Sequence, residues 1–117
     1  MNNEKNCIII QKIIDRIERS INYCKDYSFD DFENNTMMQE ACVFNILQIG
    51  ELSKQNLCES FIKAHTEIPW KQIYGLRNRI VHGYEGVRLN IVWDTIVDDF
   101  PILLEQLKTI LTNYIIK

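Results

Sequence analysis

At 117 residues the chain has the size of a single domain built on one hydrophobic core. Its 46% hydrophobic and 25% charged residues are ordinary globular values, and four glycines and two prolines leave little material for β-sandwiches or long loops. A net charge of −3 argues against a generally basic nucleic-acid binder, so any site for a polyanion must be local.

No apolar run approaches the ~20 residues of a membrane span. The patch Cys7 to Ile10 is cut off by Gln11 and Lys12, which is not secretory architecture. Cysteines at 7, 24, 42 and 58 stand singly, the pattern of reduced buried thiols rather than a disulfide framework or a zinc site. With His65 and His82 the only histidines, a metal cage is not expected. These features predict a cytoplasmic protein.

From about Glu4 to Tyr27, isoleucines 10, 13, 14, 17 and 21 with Cys24 predict a one-faced helix, with Lys12, Asp15, Arg16, Glu18 and Arg19 on a solvated face. Asp26 to Asp31 reads as a polar turn in which Ser28 or Asp30 caps the next helix. That second helix is predicted from about Asp31 into the Leu57 region. Met38, Ala41, Asn45, Gln48, Ile49 and Leu52 make its stripe, and Val43, Phe44, Ile46 and Leu47 widen the apolar surface. So broad an apolar surface predicts a central helix or a subunit interface. Gly50 within it costs roughly 1 kcal/mol against alanine, and close helix packing would account for that. Glu51 has two candidate partners, a motif arginine across a cleft or, as favoured by spacing, Lys54.

Ser53 to Thr66 continues that helix or forms a short separate one, and His65 near its end is expected to cap or to face solvent. Ile68 ahead of Pro69 marks a boundary. Pro69 then suits the first turn of a helix whose residues Trp70, Ile73, Leu76, Ile80 and Val81 should face inward. Gly83 permits a left-handed terminal residue and Gly86 keeps the next turn open. Downstream, Asn90 is a candidate cap for a helix carrying Ile91, Val92, Trp93, Ile96 and Val97. Pro101 predicts a kink or restart, with Asp98 or Asp99 as the new cap, before Leu103, Leu104, Leu107, Ile110, Leu111 and Tyr114.

The polar side chains Arg77, Asn78, Arg79, His82 and Tyr84 crowd into eight positions. Histidine, with a reference pKa of about 6.5, gives or takes protons near neutrality. Arginine presents a charged fork that fits phosphate. No carboxylate cluster is at hand for magnesium, so attack of a ribose 2′-OH on its own phosphate suits these residues. His82 would move protons and Arg77 would stabilise the developing charge. Arg77 and His82 are five apart, roughly 140° around a helix, so they converge only if the end unwinds or a second copy completes the site. Lys71, Arg77, Arg79 and Arg88 could supply a local basic cleft. Taken alone, the same residues also fit a solvated helix end, where the macrodipole favours histidine.

Arg77-x-x-x-x-His82-x-Tyr84, with Asn78 directly after the arginine, resembles the signature of the HepT family of HEPN-domain proteins. Ile49-Gly50-Glu51, Ile68-Pro69-Trp70, Asn90-Ile91-Val92-Trp93 and Asp99-Phe100-Pro101 fit the same pattern, so the resemblance runs from roughly Ile8 to Leu111. It implies a single all-α domain over residues 1–117, an antiparallel four- to five-helix bundle of the HEPN type forming a symmetric homodimer. It also implies the toxin of a toxin–antitoxin pair, a metal-independent endoribonuclease of tRNA or mRNA that needs no cofactor. Arg77 and His82 would be catalytic at the dimer interface, with Asn78 and Arg79 supporting them on RNA phosphate. The implied partner is a minimal nucleotidyltransferase antitoxin that adenylylates Tyr84. An alternative keeps that partnership without strong catalysis, as a binding module modified at Tyr84. A third reading is a structural helical dimer that shares only the fold.

Overall fold

The structure is a computed structural model. It describes the backbone of residues 2–83 and 87–116 and the side chains of residues 3–83 and 87–114. Tyr84, Glu85 and Gly86, and with them the expectations for Tyr84 and Gly86, lie outside the described residues.

Seven α-helices are described: α1 Asn2–Cys24, α2 Phe29–Glu33, α3 Thr36–Asn56, α4 Glu59–Ala64, α5 Trp70–His82, α6 Leu89–Asp94 and α7 Phe100–Ile116. A π-helical turn, Thr95–Asp99, joins the last two. The result is all-α among the described residues, with α1, α3, α5 and the α6–α7 path as the long members of a helical bundle. No described helix is long and apolar enough to cross a membrane.

The isoleucine stripe does what its spacing predicts. Ile9, Ile10, Ile13, Ile14 and Ile17 are buried, continuing the core into Cys42, Ile46 and Ile49 of α3 and Leu103, Leu107 and Ile110 of α7. α1 stops at Cys24, earlier than its pattern suggests, because Asp26 takes a left-handed φ of 68° that no helix continues. Ser28 then caps α2 in a reciprocal box: its hydroxyl accepts from the Asp31 N–H, and the Asp31 carboxylate accepts from the Ser28 N–H.

The predicted second helix is broken. α2 ends at Glu33, and Asn35 opens α3 by accepting the Met38 N–H at 3.0 Å. The Gln39 amide reaches back to the Phe32 and Glu33 carbonyls, satisfying acceptors that the break exposes. α3 packs chiefly on α1 and α5, the central position that its apolar breadth predicts. Antiparallel pairing with α1 is set by three contacts along the seam. Buried Asn6 accepts the Cys58 N–H, Arg16 donates to Asn45, and the Cys24 and Cys42 sulfurs lie 3.7 Å apart. All four cysteines are free, with Cys24 and Cys42 buried and Cys7 and Cys58 half-buried.

α4 is the short separate helix. His65 is its C-cap, as expected, with its N–H donating to the Ile62 carbonyl, while its ring is half-buried rather than turned to solvent. It shares a hydrogen bond with the Tyr114 hydroxyl at 3.1 Å and stacks on Phe61 at 4.5 Å between centroids, tying α4 to α7. Downstream, Asn90 is not the cap of α6; Arg88 holds that place, with no side-chain bond to the helix. Nor does a new cap form at Asp98 or Asp99. The proline is absorbed instead by the wide turn Thr95–Asp99, which leads straight into α7.

Candidate functional site

Backbone proximity builds the site first. α3 crosses α5 so closely that a Cβ on Gly50 would lie 2.6 Å from Arg77 Cγ and closer still to Arg77 Cβ. Only glycine lets the two helices meet at this level, which is the packing reason its place in a helix called for.

Beside that contact Glu51 takes Arg77. Its Oε1 accepts from Arg77 Nε and forms an ion pair with Nη2, and Arg77 Nη1 donates to Asn78 Oδ1 at 2.8 Å. The local pair with Lys54 does not form. A through-space partner wins because Gly50 brings the Arg77 stem against the very turn that carries Glu51. Among the described residues these hydrogen bonds use one N–H on Nε and one on Nη1 of the five that the guanidinium carries. The Arg77 side chain is 17% exposed and that of Glu51 37%, so the pair is partly shielded but open at its outer edge.

The other motif residues sort around α5. Asn78 is half-buried and shares a face with His82 one turn later. His82 is exposed at the end of the helix, and no hydrogen bond or ion pair joins it to Arg77 among the described residues. Arg79 is exposed and lies about 200° around the helix from Arg77, so one α5 does not bring the two arginines together. Arg88 is exposed at the start of α6 and Lys71 in the first turn of α5. The helix ends at Gly83 as its pattern predicts, but with φ of 168°, extended backbone rather than the left-handed residue expected. Val81 is a second correction: it is 51% exposed rather than inward, and it falls between Arg77 and His82 on the helix surface.

Two features escape sequence reasoning. Tyr74, one turn before Asn78, is half-buried, and burial pushes its phenol above the usual range, so it stays a neutral donor beside the motif. On the far side of α5 a cavity of about 230 Å³ is lined by Ile46, Ile49, Ile73, Leu76, Asp99 and Phe100. Burial, then Asp98 and Asp94, push the Asp99 carboxyl up. Arg77, Asn78 and His82 do not line this cavity, so the polar motif and the apolar hollow are separate. Among the described residues no three His, Cys, Asp or Glu side chains gather as metal ligands.

Residues 10–110 match the family described as Ribonuclease HepT-like. The chain belongs to that family. Among relatives of this HepT-like chain, one from Caldanaerobacter subterraneus subsp. tengcongensis, provisionally named an RNase, is 37% identical over 87% of this chain and 90% of its own. A second, from Thermococcus cleftensis and provisionally named ribonuclease HepT, is 32% identical over 80% and 84%. A third, from Methanocaldococcus jannaschii and provisionally named an RNase, is 30% identical over 86% and 83%. No solved structure matches the chain.

Proposed function

We propose that this HepT-like chain is a metal-independent endoribonuclease whose cleft takes Arg77 from one copy and His82 from another. The observation that carries the reading is the contrast within α5. Arg77 is pinned between Glu51 and Asn78 and keeps 17% of its side chain exposed, while His82 stands exposed around the helix. A second copy related by a twofold axis would bring an exposed histidine to each pinned arginine. Exposed Val81, between the two positions, supports such a contact as an apolar neighbour.

In the reaction the ribose 2′-oxygen forms a bond to the adjacent phosphorus and the bond to the 5′-oxygen breaks. The products are a 2′,3′-cyclic phosphate and a free 5′-hydroxyl. His82 takes the 2′-OH proton and delivers one to the leaving 5′-oxygen, so the proton lost by one oxygen is gained by the other. Arg77 turns guanidinium N–H groups onto the phosphoryl oxygens as charge builds. Asn78 keeps the guanidinium turned and sits one turn from His82.

The role of toxin in a toxin–antitoxin pair belongs to the same proposal, with RNA as the target and a nucleotidyltransferase as the partner. Tyr84 follows Gly83 directly in the chain, within two residues of His82, so a modification there falls next to the motif in sequence. An adenylyl group there would add a phosphate charge near the motif cations and compete with RNA.

The test is cleavage of bulk tRNA by purified protein, with and without EDTA, wild type against His82→Ala. EDTA-resistant cleavage that vanishes in the variant is expected, with cyclic phosphate ends on the fragments. Cleavage that persists in the variant, or that stops with EDTA, overturns the mechanism.

A further inference from the structure

The charges of α1 are sorted. At about 100° per residue, Lys5, Lys12, Arg16, Arg19 and Tyr23 fall within an arc of about 60°. Glu4, Asp15 and Glu18 occupy a neighbouring arc turned by about 100°, where Glu18 pairs with Lys108 of α7 at 3.3 Å. Among the described residues none of the four cations forms an ion pair. In a chain of net charge −3, an unneutralised basic flank is a local feature that the overall charge conceals.

The flank is also anchored at a cost. Asn45 is buried in the apolar middle of α3; its Oδ1 accepts from Arg16 Nη1 at 3.2 Å and its amide nitrogen has no partner. A buried amide with an unmet donor destabilises a core. What it secures is an arginine whose guanidinium also sits 5.2 Å over the Phe44 ring. Phe44 itself is 49% exposed, an aromatic face turned to solvent beside a fixed cation.

That arrangement borders the Arg77 site. Phe44, Gln48 and Glu51 recur at steps of four and three, making one strip of α3 that is exposed at Phe44 and half-buried at Gln48 and Glu51. Arg16 stands over one end of the strip and Arg77 is bound at the other. The seven residues between span about 10 Å, or about three nucleotides of a stacked strand at about 3.4 Å each. Antiparallel pairing, with Arg16 opposite Asn45 and Asn6 opposite Cys58, brings Lys12 to the level of Glu51. Of the acids on this strip, Glu51 is already neutralised by Arg77; Glu40 remains.

We propose that the basic flank of α1 is the track along which an RNA strand reaches Arg77, its phosphates on Lys12, Arg16 and Arg19 and a base stacked on Phe44. Spaced cations beside an exposed aromatic suit a single strand, whose backbone seeks charge and whose bases seek a flat face. An acidic protein would use the cations but gain less from the aromatic. The inference rests on the ribonuclease reading for the strand's destination, and its test separates the two.

The measurement is anisotropy of a fluorescein-labelled single-stranded RNA 12-mer titrated with protein across a salt series. All proteins carry His82→Ala so that the probe survives. Adding Lys12→Ala with Arg19→Ala, both exposed, should weaken binding at least tenfold near 100 mM salt. It should also flatten the slope of log K against log salt by about 1.4, two contacts at about 0.7 each. Phe44→Leu should weaken binding several-fold with the slope unchanged. The control pair, Lys25→Ala with Lys63→Ala, both exposed, removes equal charge away from the flank. A loss no larger than the control's, an unchanged slope, or no RNA binding by the parent overturns the track. Cleavage by protein with His82 restored is scored separately: a track that holds in a chain that never cuts RNA condemns the catalytic reading alone.

Discussion

The middle and the end of one short helix are built in opposite ways. At Arg77, α5 is pressed against α3 at a glycine, and the side chain is held by Glu51 and Asn78. At His82, five residues on, the helix is ending, the ring is exposed and no described contact holds it. A charge that must meet a phosphate benefits from being fixed in advance, since the ordering is then complete before substrate arrives. A proton carrier can be left free if a second surface fixes it. The contrast teaches that one helix can hold a fixed cation and an unfixed imidazole within two turns of each other.

The largest effect should come from breaking the free end. His82→Ala is expected to lower tRNA cleavage by about 10²- to 10⁴-fold and to change unfolding free energy by no more than about 0.5 kcal/mol. A large destabilisation in urea would mean that His82 is structural after all.

Mixing tests whether the two residues act from different copies. Arg77→Ala and His82→Ala proteins, each inactive, should regain about a quarter of wild-type cleavage when unfolded and refolded together. Half the dimers would be mixed, each with one intact site of two. No recovery, with dimers verified by sedimentation, would place both residues in one copy.

Breaking the fixed middle should act on stability first. Gly50→Ala puts a methyl group into the Arg77 stem and should cost about 1–3 kcal/mol by overpacking, read as a lower urea midpoint. Glu51→Gln keeps the shape and removes the charge. For a pair this exposed, about 1 kcal/mol or less should be lost, with kcat falling several-fold because Arg77 turns more freely. An unchanged kcat would show that Gly50 packing alone orients the arginine.

The smallest effect lies across α5, at Asp99. Its carboxyl is raised, so the folded state holds a proton that the unfolded chain has released. Stability should therefore fall as pH rises from the ordinary aspartate value, about 3.9, through the raised one, and stay lowered above it. Asp99→Asn should remove that part of the pH dependence, tracked by thermal melts from pH 3 to 7, and leave tRNA cleavage unchanged.

Much of the fold is readable in the chain because local chemistry decides it. The isoleucine spacing of α1 has no competitor, and Ser28 with Asp31 is a complete capping signal. Asn34 and Asn35 do not announce a break, because two asparagines in a polar stretch are tolerated within a helix. Their side chains matter only once Gln39 folds back. The Glu51 partner is out of reach for another reason: sequence spacing weighs neighbours three or four apart, whereas Arg77 comes from 26 residues away. Val81 has an apolar identity and an inward period, and periodicity does not distinguish a chain's own core from a surface another copy could cover.

The turn Thr95–Asp99 has a further consequence, for how the chain tolerates changes of length. A π turn behaves as one residue slipped into an α-helix whose winding beyond it is undisturbed. Val92 and Ile96 at or before this point and Phe100, Leu103 and Leu107 after it are all buried, so the apolar stripe keeps its phase across the extra residue. Elsewhere along Leu89–Ile116, gaining or losing one residue would swing the remaining stripe by about 100° into solvent. Between Thr95 and Asp99 a residue could be lost and the stripe would close up unturned, a slack link in an otherwise rigid gear train.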